Sequence, residues 1–445
     1  MDWYMILLFG VGLLIFHMHL LAEHRSIPDF LNDGLGCRMP QNVVFLLFSL
    51  TGGLTFLLPL FLTVQYGYAA ESAAAVAGAA VLIALGFRGR FHLLMVKTAG
   101  SEEDLLEQRF TSVGRRAGGL TLLLLGSEGL VLNIGFMALF LHLMLKVSPV
   151  WSVFCMLSFC VIFAVIGGAK GFWQMGLWLF AAAFVILTLL PLSVYTFEGI
   201  APISERLESA ALHSGGADWK LYAGSAVFMV FIVGRLLSGM LIHRPLGRAK
   251  PERAAVIYSL AALCWSAVPL AAGAMLIYLL SSADAPSEAA PISWSLISAS
   301  LSAHLHVPLT YAVTGWLLCS CLLGAGMSLQ GMVSLLPRSL YSGSKVHSLY
   351  LAGVLFCLPL WPASLFSGSY LEAAGLLYLQ LYLAGTMPLV RLLHSPARRG
   401  VSWSVTIWVP ALIGWIAALW SDWLYGSIIN VILSYIIVLV AIRKT

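Results

Sequence analysis

An all-α, polytopic membrane bundle is the fold class this sequence predicts, and three observations predict it. Hydrophobic residues fill 60% of 445 positions, charged residues only 10%, and mean hydropathy is +0.94, whereas a soluble domain is about 25% charged. Apolar runs of roughly 20 residues recur along the chain, each long enough for a hydrocarbon core about 30 Å thick. No aqueous stretch between them is long enough to fold by itself, and unpaired backbone groups are too costly in lipid for anything but helices or closed barrels. The formal charge of +5 therefore belongs to loops at one face. The partners expected are the lipid bilayer and a small-molecule solute, with no nucleic acid; no protein partner can be named.

About thirteen spans follow in order. The first, 3–21, comes after Asp2 with no basic stretch and no small-residue cleavage site, so it reads as a retained helix and not a removed signal peptide. Then come 41–66, 71–96, 118–145, 149–167, 173–196, 219–242, 254–281, 308–336, 346–366, 369–391, 404–421 and 424–442. The spans 71–96 and 308–336 contain polar or turn residues and are expected to be bent or shorter. Between spans, residues 98–117 are amphipathic and read as a surface helix or a plain solvated loop. The seven cysteines mostly sit inside apolar runs, with no zinc-like spacing to His, and read as packed thiols. His17, His19 and His142 lack companion ligands and are expected to pack or bond locally. Trp3, Tyr4, Trp151, Trp403, Trp420 and Trp423 are expected at the membrane interfaces.

Basic residues orient the bundle. With the N-terminus outside and the C-terminus cytoplasmic, 20 of the 24 Lys and Arg fall in inner loops and adjoining span ends. Lys146, Arg206 and Lys220 stay outside and Arg235 lies within a span, a strong positive-inside bias for a multi-pass protein of the cell membrane. The chain reads as one transmembrane domain, 1–445. Residues 3–40 form an extra N-terminal helix and loop, 41–196 and 219–391 two opposed sets of five helices, and 404–445 two C-terminal helices. Each set opens on a polar-interrupted helix, SLTGGLT at 49–55 and GRLLSG at 234–239. Inverted repeats with broken first helices are how many secondary transporters place a site at the midplane.

Four short motifs carry a resemblance. EEDLLEQRF at 102–110 ends a surface segment on a basic-aromatic pair, and IGGAK at 166–170 pairs two glycines before a basic residue. HRPLGRAKPERA at 243–254 starts an inner loop, and LLGAGMSLQGMVS at 322–334 is a helix rich in small and hydroxyl residues. In their order and at these helices they resemble the sodium/solute symporter family, over roughly residues 25–345. The resemblance implies a LeuT-like fold of two inverted five-helix repeats, with solute and a sodium ion meeting near the midplane. It places cation ligands at the carbonyls of Leu50, Gly53 and Gly324 and at the positions of Met327 and Ser328.

Two departures bear on that ion. The family has adjacent hydroxyl residues where this chain has Met327 and Ser328, and the stretch GFWQMGLW at 171–178 has no Asp where relatives carry one. Sodium prefers several hard oxygens, so these losses weaken or abolish the site. A sodium ion is the one bound species the resemblance implies; no other cofactor or metal is expected.

The residues themselves supply further candidates. Ser49, Thr51 and Thr55 flank Gly52 and Gly53, which each lower helix stability by about 1 kcal/mol relative to Ala and could free carbonyls; close helix packing is the alternative. Glu128 lies near the middle of its span, where a carboxylate is costly and faces a cavity or a partner. It reads as a solute or proton ligand, or as a structural acid bonded within the bundle, for instance to Asn133. Arg235, beside Ser238, could clamp a carboxylate or phosphate bidentately, pair with Glu128, or snorkel.

No GxxxxGK[ST] loop, HExxH or GxSxG turn occurs, so ATP-driven transport by this chain and enzymatic activity are not expected. Two functions remain. One is a secondary active transporter of a small polar organic solute, working by alternating access and coupled to sodium or protons. The other is a transporter-derived membrane sensor or accessory subunit that acts through a partner protein, which the weakened cation site and the short C-terminal tail keep open.

Overall fold

The computed structural model describes residues 39–50, 54, 58, 62, 68–87, 109–145, 147–199, 201, 205, 218–242, 251–282, 307–335, 353–355, 367–394 and 399–443. Ten helices are seen among them: α1 (Met39–Leu50), α2 (Tyr68–Phe87), α3 (Ser112–Leu145), α4 (Pro149–Glu198) and α5 (Asp218–Ile242), then α6 (Pro251–Ser282), α7 (Val307–Ser334), α8 (Ser367–His394), α9 (Ser402–Trp420) and α10 (Trp423–Arg443). Eight helical stretches among the described residues are long and apolar enough to cross a membrane. The chain is thus all-helical and multi-pass, as its composition predicts. The expected spans 3–21 and most of 346–366 lie outside the described residues.

Local chemistry sets the helix ends. Thr111 caps α3 by accepting the Gly114 N–H at 3.1 Å, and Asp422 caps α10 by accepting the Leu424 N–H at 3.1 Å. Pro149 and Pro251 stand at first helical positions, where a missing N–H costs nothing. Gly199 follows α4 at φ 84°, the left-handed conformation that ends a helix cheaply only with glycine. One sequence expectation fails here: 149–167 and 173–196 are not separated, and α4 runs unbroken for 50 residues. Gly167 and Gly168 lower helix stability without removing a hydrogen-bond donor, so the hydrogen-bond ladder can continue through them. Of the expected span 71–96, residues 71–87 are helical in α2 and 88–96 lie outside the described residues.

α1, α3, α5, α7 and α8 form the centre of the bundle. α5 packs on α1, α3, α7 and α8, and α3 on α7 and α8. Glycines allow the closest approaches. A methyl group on Gly234 of α5 would collide with the Tyr382 backbone and Thr386 hydroxyl of α8, and one on Gly129 of α3 with the Ser328 hydroxyl of α7. Such small-residue contacts matter because lipid tails are as apolar as leucine, leaving packing and hydrogen bonds to hold the helices. Large apolar side chains such as Trp178, Tyr222, Leu263 and Ile416 are exposed on the outside, a surface suited to hydrocarbon and not to water. Trp420 is 89% exposed as an interface anchor would be, but Trp403 and Trp423 are buried, against expectation. The Trp403 ring instead packs edge-on against Phe110 and donates to the Pro388 carbonyl at 3.1 Å.

The two ends of the bundle are tied differently. At one end the start of α3 is stitched to the start of α9. Thr111 N–H donates to the Arg399 carbonyl at 2.9 Å, and Arg399 N–H to the Arg109 carbonyl at 2.8 Å. Partial burial, with the Arg391 and Arg109 charges nearby, pulls the Arg399 guanidinium below its ordinary value. At the other end Lys220 of α5 pairs with Asp422 before α10, at 3.7 Å.

Candidate functional site

Glu128 lies in mid-α3 with no solvent exposure, and Arg235, on α5, is 6% exposed. The two form a buried ion pair, Arg235 Nη1 to Glu128 Oε2. Of the alternatives open from sequence, pairing between the two intramembrane charges is the one observed. Asn133 is not the partner: its Nδ2 is buried without a hydrogen bond. The second carboxylate oxygen, Oε1, accepts the backbone N–H of Leu54 at 3.0 Å. Leu54, Leu58 and Leu62 are helical, buried and spaced by four. In the sequence Leu54 directly follows the Gly52–Gly53 pair.

Around this pair five helices meet. A small cavity is lined by Phe48 of α1, Leu125, Gly126 and Glu128 of α3, Arg235, Ser238 and Gly239 of α5, Gly324, Met327 and Ser328 of α7, and Tyr382 of α8. Six sequence candidates therefore converge: Glu128, Arg235, Ser238, Gly324, Met327 and Ser328. Leu50 ends α1 and is buried, but does not line the cavity. Ser49 occupies the last turn of α1; its side chain, like Thr51, Gly53 and Thr55, lies outside the described residues. The void measures about 20 Å³, room for a water molecule or a bare cation and not for an organic solute.

Side-chain hydroxyls are largely committed. Tyr382 donates to the Leu125 carbonyl at 2.7 Å, Ser238 to the Arg235 carbonyl at 2.9 Å, and Ser127 shares a 2.8 Å hydrogen bond with Tyr378. The Arg235 guanidinium sits 5.7 Å from the centre of the Tyr382 ring, close enough for cation–π attraction. The Arg235 Nε is buried without a hydrogen-bond partner. A buried pair of this kind is a costly device for stability alone, because desolvation offsets much of the Coulombic gain.

Tyr382, Phe48 and Leu54 were not among the candidates that the sequence offers. A tyrosine or phenylalanine in a span reads as packing, and a backbone N–H carries no side-chain signal; the adjacent Gly52–Gly53 pair was the available clue. Glu71 was also passed over, at the edge of an expected span, and is fully buried. His142 bonds locally, as expected, its Nδ1 lying 2.7 Å from the Val147 carbonyl. Among the described residues no cluster of His, Cys, Asp and Glu could hold a metal ion.

No protein-family model and no curated protein matches the sequence. Solved structures do. A Na⁺-coupled sialic acid symporter, in a substrate-bound outward-open state, superposes with a TM-score of 0.64 at 14% identity, over 98% of this chain and 96% of that one. The fold is that of a membrane transporter. A manganese transporter from Eremococcus coleocola, bound to an aromatic bis-isothiourea compound, aligns with a TM-score of 0.51 at 14% identity, over 91% of this chain and 93% of its own. The likeness supports the transporter architecture that the sequence resemblance implied, and leaves membership of the sodium/solute symporter family to be argued.

Proposed function

We propose that this chain is a secondary active transporter of the sodium/solute symporter type, moving a small polar organic solute by alternating access. The observation that carries this reading is the buried Glu128–Arg235 pair, which joins α3 to α5 beside a polar cavity at the centre of a transporter fold. Charges at membrane depth are expensive and collect where solutes or ions pass. The cavity is too small for a solute in this conformation, so alternating access requires that α3, α5, α7 and α8 part around it.

Coupling to a sodium ion or a proton belongs to the same proposal. Gly324 and Ser328 bring a carbonyl and a hydroxyl to the cavity, but Met327 offers only a thioether sulfur, a poor ligand for a hard cation. In the proposed orientation the Arg109–Arg399 end faces the cytoplasm and the Lys220–Asp422 end faces outward. Two inverted repeats, 41–196 and 219–391, would set the pair near the midplane, because the site draws α1 and α3 from the first and α5, α7 and α8 from the second.

Uptake of a radiolabelled solute panel (sugars, amino acids, carboxylates, vitamins) into proteoliposomes tests the reading, with an imposed sodium gradient, an imposed proton gradient, or neither. Gradient-driven accumulation of at least one solute, lost in Arg235→Gln, is expected. Failure of every bound solute to cross would overturn it in favour of a sensor or accessory subunit.

A further inference from the structure

We infer that the arginine cluster of Arg109, Arg391 and Arg399, where α3, α8 and α9 meet at one end of the bundle, binds the phosphate headgroup of an anionic phospholipid. This holds whatever solute the central cavity takes.

The backbone assembles the cluster. Phe110 and Arg399 form a parallel bridge, in which Arg399 N–H donates to the Arg109 carbonyl at 2.8 Å and Thr111 N–H to the Arg399 carbonyl at 2.9 Å. Gly114 lets α3 press on this bridge, since a methyl group there would strike the Arg399 carbonyl. Behind it the buried Phe110 and Trp403 rings pack edge-on, 5.1 Å apart. The Arg399 side chain reaches back to α8, where its Nη2 donates to the Arg391 carbonyl at 3.4 Å. Arginines from three segments are thereby held close enough to act on one another. Burial first, and then the Arg391 and Arg109 charges, pull the Arg399 guanidinium below its ordinary value.

Like charges are gathered here without an acid to offset them. Residues 109–120, 384–394 and 399–420 contain no Asp or Glu, and Arg399 Nε is buried with no acceptor. A guanidinium carries five N–H donors and matches phosphate oxygens two at a time. A phosphate anion would therefore take up idle donors and offset the repulsion together. α3 and α9 both begin at this end with no acid in the first turn, and helix N-termini favour the same charge. The surroundings favour a lipid over a free phosphate. Val113 and Leu120 of α3 and Val401 and Val405 of α9 are exposed beside the cluster. A cationic cluster bordered by apolar helix faces fits an amphiphile, with its phosphate at the helix ends and its acyl chains along the helices.

Thermal unfolding of the purified full-length protein in nanodiscs tests this, in phosphatidylcholine alone and with a rising share of phosphatidylglycerol. Both lipids carry the same phosphate, but only phosphatidylglycerol is an anion overall. A ligand of the folded state raises the unfolding temperature, so phosphatidylglycerol is expected to raise it to a plateau. Inorganic phosphate added to the phosphatidylcholine discs is expected not to. Arg399→Gln should lose most of the rise, yet unfold in phosphatidylcholine no lower than the unaltered protein, because it relieves the repulsion. Arg116→Gln removes an exposed charge at the same end and should keep the rise. No difference between the lipids overturns the inference, as when Glu102, Glu103, Asp104 and Glu107, which precede Arg109 in the sequence, already neutralise the cluster. An equal rise from inorganic phosphate overturns it in favour of a free ion, and equal loss in Arg116→Gln in favour of general surface charge. An Arg399→Gln protein destabilised alike in both lipids makes the arginine structural and overturns it too. The lipid comparison uses only the unaltered protein, so it decides even if Arg399→Gln fails to fold.

Discussion

Two polar seams cross this apolar bundle, and they are built on opposite principles. Between α3 and α5 the seam is charged: Glu128 and Arg235 pair beside a cavity, the Arg235 Nε is buried without an acceptor, and the carboxylate also accepts the Leu54 N–H. Between α8 and α10 it is neutral. Asn430 donates through Nδ2 to the carbonyl and the Oε1 of Gln380 at 2.7 and 2.8 Å, and Gln380 donates to Ser427 at 2.9 Å. Ser434 adds a 2.9 Å bond to the Ala384 carbonyl. There α9 closes the gap, since any side chain on Gly414 would meet Asn430 and Gln380. Amide and hydroxyl bonds between membrane helices contribute modestly and cost little to bury. A charged pair is costly to bury and more costly to break. In the proposed function the neutral seam serves as cement, and the charged one is broken and remade.

The largest effect should come from splitting the charged pair. Glu128→Ala and Arg235→Ala each leave a buried charge alone, a loss of about 3–5 kcal/mol. Both are expected to lower the unfolding temperature in detergent and to abolish uptake. Equal loss of uptake from Gln380→Ala, at matched protein levels, would break the contrast between the seams.

Next in size is Gly414→Val in the neutral seam. Overpacking of a closed contact costs about 1–3 kcal/mol, so the unfolding temperature should fall while the KM of the folded fraction stays unchanged. A raised KM would show that α9 takes part in solute binding.

Asn430→Leu should cost less, about 1–2 kcal/mol at most for the lost bonds between helices, and should leave uptake rates intact once expression is normalised. Smallest is Tyr382→Phe. It removes one 2.7 Å hydrogen bond to Leu125, worth about 0.5–1.5 kcal/mol net, and keeps the ring that flanks Arg235. A small rise in KM with normal stability is expected; an effect as large as that of Arg235→Gln would make the Tyr382 hydroxyl a solute contact.

The difference between the seams also explains what the sequence made legible. Glu128 and Arg235 stood out singly, because a charge in a span is rare enough to be noticed one residue at a time. Their pairing, over 107 positions, was one option among several, since nothing local sets the contact between distant helices. Gly324 and Ser328 were reached by resemblance and Ser238 by its neighbour Arg235, and all three line the cavity. Gln380 and Asn430 passed unremarked, because neutral amides in a span carry little cost and so little signal. The helical fold was legible from hydropathy alone. The continuity of α4 was not, because a Gly–Gly pair weakens a helix without breaking its hydrogen bonds.

The central claim is that the Glu128–Arg235 pair works and does not merely hold. Neutralising both partners separates the two, because Glu128→Gln with Arg235→Gln removes both buried charges together and keeps both side chains close in size. The decisive measurement is solute uptake by that double variant in proteoliposomes, beside its unfolding temperature. Stability near that of the unaltered protein with uptake still absent is the predicted result. Stability and uptake restored together would contradict the account and return the pair to cement.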